Sequence, residues 1–212
     1  MDGDESSIKA LLKEIRELVE NGMTYSKDEL YWRHTGNELL TYIKSILSSP
    51  EKINLWIPKD YNSDKLSLLE SIFVVLDHLS DPNGPLPRDL LNEEADSEYH
   101  GIGSFYELAF ARCCSMICLI LGDRFSYIQK LLIRHLFNES NLCSFFASDL
   151  YVFILRIIHP HRQMALCQVI MNMCRRAPRE ALVKGAALIN RIKHPVVNFE
   201  NPKYQDLLEL SG

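Results

Sequence analysis

The chain has 212 residues, 47% hydrophobic and 24% charged, with a formal net charge of −5; this suits a globular protein with a substantial core and argues against a disordered one. The longest uncharged apolar run, Cys113–Gly122, is about half of the roughly 20 residues that a spanning helix needs, so no transmembrane segment is expected. The acidic start, Met1–Glu5, is the reverse of a basic signal or transit sequence, which points to the nucleus or cytoplasm.

In chain order, a first helix is expected from a cap at Ser6 or Ser7, with Ile8, Leu11, Leu12, Ile15, Leu18 and Val19 on one face and Gly22 as its left-handed stop. Ser26 and Glu29 have capping-box spacing and open a longer helix through Leu30, Leu39, Leu40, Ile43, Ile46 and Leu47, in which Gly36 marks a break or a close contact. Pro50 suits the first turn of a short helix, and Pro58 and Asn62 signal a turn. Ser63 then caps a helix with Leu66, Leu69, Ile72, Phe73, Leu76 and Leu79 inward.

Residues 81–103 break the rhythm. Asp81–Pro87 is turn chemistry, followed by the acidic cluster Glu93, Glu94, Asp96 and Glu98, and the whole segment reads as a disordered acidic loop. Helices resume at Ser104 and Glu107, run to Gly122, and start afresh at Asp123 with Phe125, Ile128, Leu131, Leu132 and Leu136 facing in. Ser148 is expected to cap Leu150–Ile158, and His159-Pro160 stops that helix because a residue before proline disfavours the helical region. His161–Arg176 forms the next helix, Pro178 opens Arg179–Lys193, and residues 195–212 are a tail.

No run of alternating apolar and polar residues argues for a strand. The fold class is therefore all-α, an antiparallel helical-hairpin stack of HEAT-like or α-solenoid-like type, with about eight to ten helices. Four parts follow: an N-terminal helical subdomain over 1–80, the loop 81–103, a C-terminal helical core over 104–194 and the tail.

Charge is split along the chain. Residues 1–111 hold 10 Lys/Arg against 21 Asp/Glu, whereas residues 112–194 hold 12 against four. Much of the excess lies in Arg175, Arg176, Arg179, Lys184, Arg191 and Lys193, which straddle Ala177-Pro178. That basic face is the expected partner-binding surface, with Glu93–Glu98 as a second candidate. Phosphate tracking along the same face is the alternative, but few aromatic residues are interleaved to stack bases. A simple solvated helix face explains the charges too.

Reactive chemistry is harder to find. Cys113, Cys114, Cys118, Cys143, Cys167 and Cys174 all lie in apolar helical pattern and read as small core side chains in a reducing compartment. Cys114 and Cys118 share a face without completing a tetrahedral set, and His159-Pro160-His161 reads as a turn. Ser148-Asp149 matches no nucleophile motif, and no phosphate or dinucleotide loop occurs. No catalysis, metal, cofactor or small-molecule substrate is expected.

Phe145–Arg156, with Ala147-Ser148-Asp149-Leu150 followed by aromatic Tyr151 and then Phe153-Ile154-Leu155-Arg156, resembles the C-terminal helical region of one family. That family is the fidgetin-like-interacting regulator of recombination and mitosis. The likeness extends over about residues 140–195 to Cys174-Arg-Arg-Ala-Pro178, and departs from the family pattern at Ile154-Leu155. It implies an all-α scaffold without catalytic residues that binds an AAA+ ATPase and acts in homologous recombination and DNA crosslink repair.

Overall fold

The computed structural model describes residues 2–48, 57, 66–79, 102–176, 183–185, 187–188 and 191. Every regular element among them is a helix, so the chain is all-α. It divides into two compact units, residues 1–131 with 140–143, and residues 132–139 with 144–212.

In the first unit, α1 (Asp2–Glu20) starts ahead of the expected serine caps and buries Ile8, Leu12, Ile15 and Leu18. Its end is the one read from sequence. Gly22 has φ of 62°, and the amides of Gly22 and Met23 donate to the carbonyls of Val19 and Leu18 at 3.2 and 2.8 Å. This Schellman arrangement satisfies carbonyls that the helix itself leaves open. A 3-10 turn over Thr24–Ser26 follows, closed by Ser26 Oγ donating to Met23 O at 2.6 Å.

Helix α2 (Glu29–Leu47) is capped by Asp28, whose Oδ1 accepts from the Tyr31 amide at 2.9 Å; the expected Ser26 cap belongs instead to the preceding turn. Gly36 lies within the helix and marks a close contact. A Cβ there would sit 2.6 Å from Phe105 Cε2 and 3.0 Å from Val75 Cγ1. The third helix, α3 (Leu68–Leu79), packs on α2 and buries Leu69, Ile72, Phe73, Val75 and Leu76 completely. Its cap is Ser67, whose Oγ accepts from the Glu70 amide at 3.0 Å and from the Tyr127 hydroxyl. Leu66, expected inside the helix, precedes it, and the expected cap Ser63 lies outside the described residues.

Helix α4 (Ile102–Leu136) runs unbroken for 35 residues, about 52 Å at 1.5 Å per residue. The expected stop at Gly122 and restart at Asp123 do not occur. Gly122 is exposed and has ordinary helical backbone, so its presence interrupts nothing. Arg124 is buried on this helix and donates from Nε to the Ile57 carbonyl at 3.1 Å, tying that residue to the unit. Residues 80–101, which hold most of the acidic loop, lie outside the described residues, and Ile102 and Gly103 already belong to α4.

The second unit takes the end of α4, most of α5 (Asn141–Ile157), α6 (Pro160–Arg176) and the helical residues 183–185, 187–188 and 191. Ser148 is buried in the middle of α5 and does not start it; Ser140 does, accepting from the Cys143 amide at 3.3 Å. Cys143, Cys167 and Cys174 are buried as expected, as are Cys113 and Cys114, while Cys118 is exposed. All six thiols are free. Among the described residues no helix is long and apolar enough to cross a membrane.

Candidate partner-binding surface

Eleven of the seventeen residues of α5 are buried, and its contacts within the second unit fix it firmly. Ser144 Oγ donates to Leu136 O at 2.7 Å, giving a partner to a carbonyl at the end of α4. The Tyr151 hydroxyl donates to Leu166 O on α6 at 3.2 Å, and Gln163 Nε2 donates to Leu155 O and Ile158 O at 2.8 and 3.2 Å. The turn between α5 and α6 is thus stapled through backbone carbonyls that α5 cannot satisfy alone.

His159-Pro160-His161 completes that turn. Pro160 opens α6, where the missing amide costs nothing, and His159 Nδ1 accepts from the His161 amide at 3.4 Å. The two exposed rings stack with centroids 5.2 Å apart. The local job of His159 is to cap a helix. Burial pushes the Cys167 thiol up to about 11 and raises Cys174 also, so both stay protonated at neutral pH. Among the described residues no group of three or more His, Cys, Asp or Glu could hold a metal ion.

From Phe145 onward, the residues of α5 that are not buried are Phe145, Asp149, Phe153, Arg156 and Ile157. At 3.6 residues per turn they fall within about 120° of arc, a single stripe along one helix face. Phe145 is 38% exposed and Ile157 44% exposed, unusual values for large apolar side chains on an otherwise covered helix.

The basic residues singled out from the sequence have different fates. Arg175 is exposed near the end of α6. Arg176 is the last residue of that helix, and its side chain, Arg179 and Lys193 lie outside the described residues. Lys184 turns inward, and its ammonium donates to the carbonyls of Asn138 and, at 3.1 Å, Glu139. Two carbonyls just beyond α4 therefore receive the cation favoured at a helix C-terminus. Arg191 forms an ion pair with Asp149, a member of the α5 stripe. Gly185 permits this segment to lie close, since a Cβ there would collide with Cys174 Sγ.

Sequence reasoning found the basic segment and missed the stripe beside it. The reason is that α5 is apolar nearly all round, so periodicity alone does not reveal which narrow arc is left open. Phe145, Asp149, Phe153 and Ile157 at four-residue intervals were the available signal. Compared with known proteins, the chain matches no family model, no curated protein and no solved structure.

Proposed function

We propose that the chain is a non-enzymatic helical scaffold that acts by binding a protein partner, in the nucleus, in homologous recombination and crosslink repair. The resemblance carried by Phe145–Arg156 makes an AAA+ ATPase the partner class. The observation that carries the reading is the α5 stripe itself. The helix bearing the family-like motif is held rigidly by its neighbours, yet leaves Phe145, Phe153 and Ile157 along one arc. Apolar anchors with a polar rim are what a protein interface uses. Arg191, paired with Asp149, brings one cation of the basic segment to that arc, and Arg175, Arg176, Arg179 and Lys193 are the sequence candidates for its charged rim.

The test is capture of a fidgetin-like AAA+ ATPase by the Phe145→Asp/Ile157→Asp variant, with helix content and melting compared by circular dichroism. Binding should weaken at least about tenfold, as expected when interface anchors are lost, while the fold stays intact. Undiminished capture by the folded variant overturns the assignment of the stripe.

A further inference from the structure

A second site is outlined in the first unit, at the crossing of α1 and α2. A half-open notch of about 290 Å³ lies there, with Ile8, Leu11 and Tyr42 among its apolar lining and Asn37, Glu38 and Thr41 among its polar lining. Ile8 and Tyr42 are 4% and 6% exposed, so the floor is fixed by the packing of the two helices. At about 290 Å³ the notch lies at the small end of ligand pockets and has room for one long side chain.

The charges select which side chain. Helices α1 and α2 together contain eight carboxylates against five Lys/Arg. Glu5, Glu17, Glu20 and Glu29 each face a lysine or arginine one helical turn away, at 2.6 to 3.7 Å, and Glu14 faces Lys27 at 3.6 Å. Glu38 differs. Its neighbour is His34 at 3.5 Å, which is a cation only when protonated. Among the described carboxylate side chains of α1 and α2, the one that lines the notch is thus the one without a permanent positive partner. Its field already reaches the Tyr31 hydroxyl, which burial, then Glu14, then Glu38 push up to about 12.

We propose that this notch receives the side chain of an arginine or lysine carried by a protein partner. The methylenes of such a residue lie on Ile8, Leu11 and Tyr42, and its charged head meets Glu38, with the Asn37 amide oxygen and Thr41 hydroxyl in reach as acceptors. Long cationic side chains suit such a place because their stems are apolar and only their tips need a charge. An acidic pair of helices also attracts a basic segment before contact is made. This site is on the other unit from the α5 stripe and does not rest on the function proposed for that stripe.

The test is an amide NMR titration of the full chain with N-acetyl-arginine methylamide, using the citrulline analogue as the uncharged control. Shifts confined to Leu11, Asn37, Glu38 and Thr41, at millimolar ligand, are expected for arginine and not for citrulline. Glu38→Gln should weaken binding about two- to fivefold, the range of an exposed ion pair. Thr41→Phe, which fills the notch from an exposed position, should abolish it. Three results each overturn the proposal: no localised shifts, equal binding of citrulline, or unchanged binding in Glu38→Gln and Thr41→Phe.

Discussion

Two histidines show how burial sets the pH range in which this fold holds. His135 is 8% exposed, and burial, with a smaller contribution from the charge of Arg134, lowers its pKa to about 3. His78 is lowered too, by burial against a partly opposing effect of Asp77, and sits edge-on to Trp32 with ring centroids 4.5 Å apart. Neither ring nitrogen of His78 is accessible or hydrogen-bonded. Both groups are held neutral in the folded chain, whereas the unfolded chain protonates near the ordinary value of about 6.5. As pH falls below that value, the unfolded state takes up protons first, so stability is whole above about pH 6.5 and drains away toward pH 3. Urea unfolding at pH 7.5, 6.5, 5.8 and 5.0 should show a loss approaching about 1.4 kcal/mol per pH unit from His135, with His78 adding to it in the same direction. His135→Gln should remove its share of that slope whatever it does to the stability at pH 7.5. Parallel slopes for wild type and variant would mean that His135 does not titrate in this range.

At the scale of elements, most helices were legible, but most of their starts, and the continuity of α4 through Gly122, were not. The periodic faces of α1, α2 and α3 bury most of the residues that the sequence placed inward, because burying an apolar stripe is the strongest constraint on where a helix lies; Val19 and Leu30, expected on those faces, are 43% and 74% exposed. Ends depend on smaller energies. Ser148 has the chemistry of a cap, but the apolar residues on both sides of it continue one helix, and Ser140 takes the role. Gly22 and Gly122 make the same point with one residue type. Gly22 has a positive φ and no apolar pattern carried through it, whereas at Gly122 the pattern resumes in register and the helix continues. The two sites should therefore respond oppositely to alanine. Gly122→Ala meets nothing within 4 Å and should stabilise the chain by up to about 1 kcal/mol, through helix propensity. Gly22→Ala should destabilise it by about 1 kcal/mol, since an L residue is strained in the left-handed region. Loss of stability in Gly122→Ala, measured by chemical denaturation, would restore the helix stop first read there.

For the whole molecule, the division of charge matters more than its sum. Residues 112–194 carry 12 Lys/Arg against four Asp/Glu, and from sequence alone six of those cations form one partner-facing surface. The structure shows why a count of charges overstates it. Lys184 is engaged with the carbonyls of Asn138 and Glu139, and Arg191 with Asp149, so two of the six already serve the fold. Such engagement depends on contacts between segments more than 40 residues apart, which no local reading of the sequence supplies. Direct phosphate tracking would then rest on Arg175, Arg176, Arg179 and Lys193. Each neutralised phosphate contributes about −0.9 to the slope of log affinity against log salt concentration, so four contacts give a slope no steeper than about −4 on duplex DNA, against about −5 for all six. Fluorescence anisotropy with a short duplex between 50 and 200 mM salt measures this directly. A slope of −5 or steeper would mean that Lys184 and Arg191 leave their internal partners for phosphate, and the basic segment would then be a nucleic-acid surface rather than the rim of a protein interface. A shallow slope with weak affinity fits a segment whose charges steer and frame a protein partner while the apolar arc of α5 holds it.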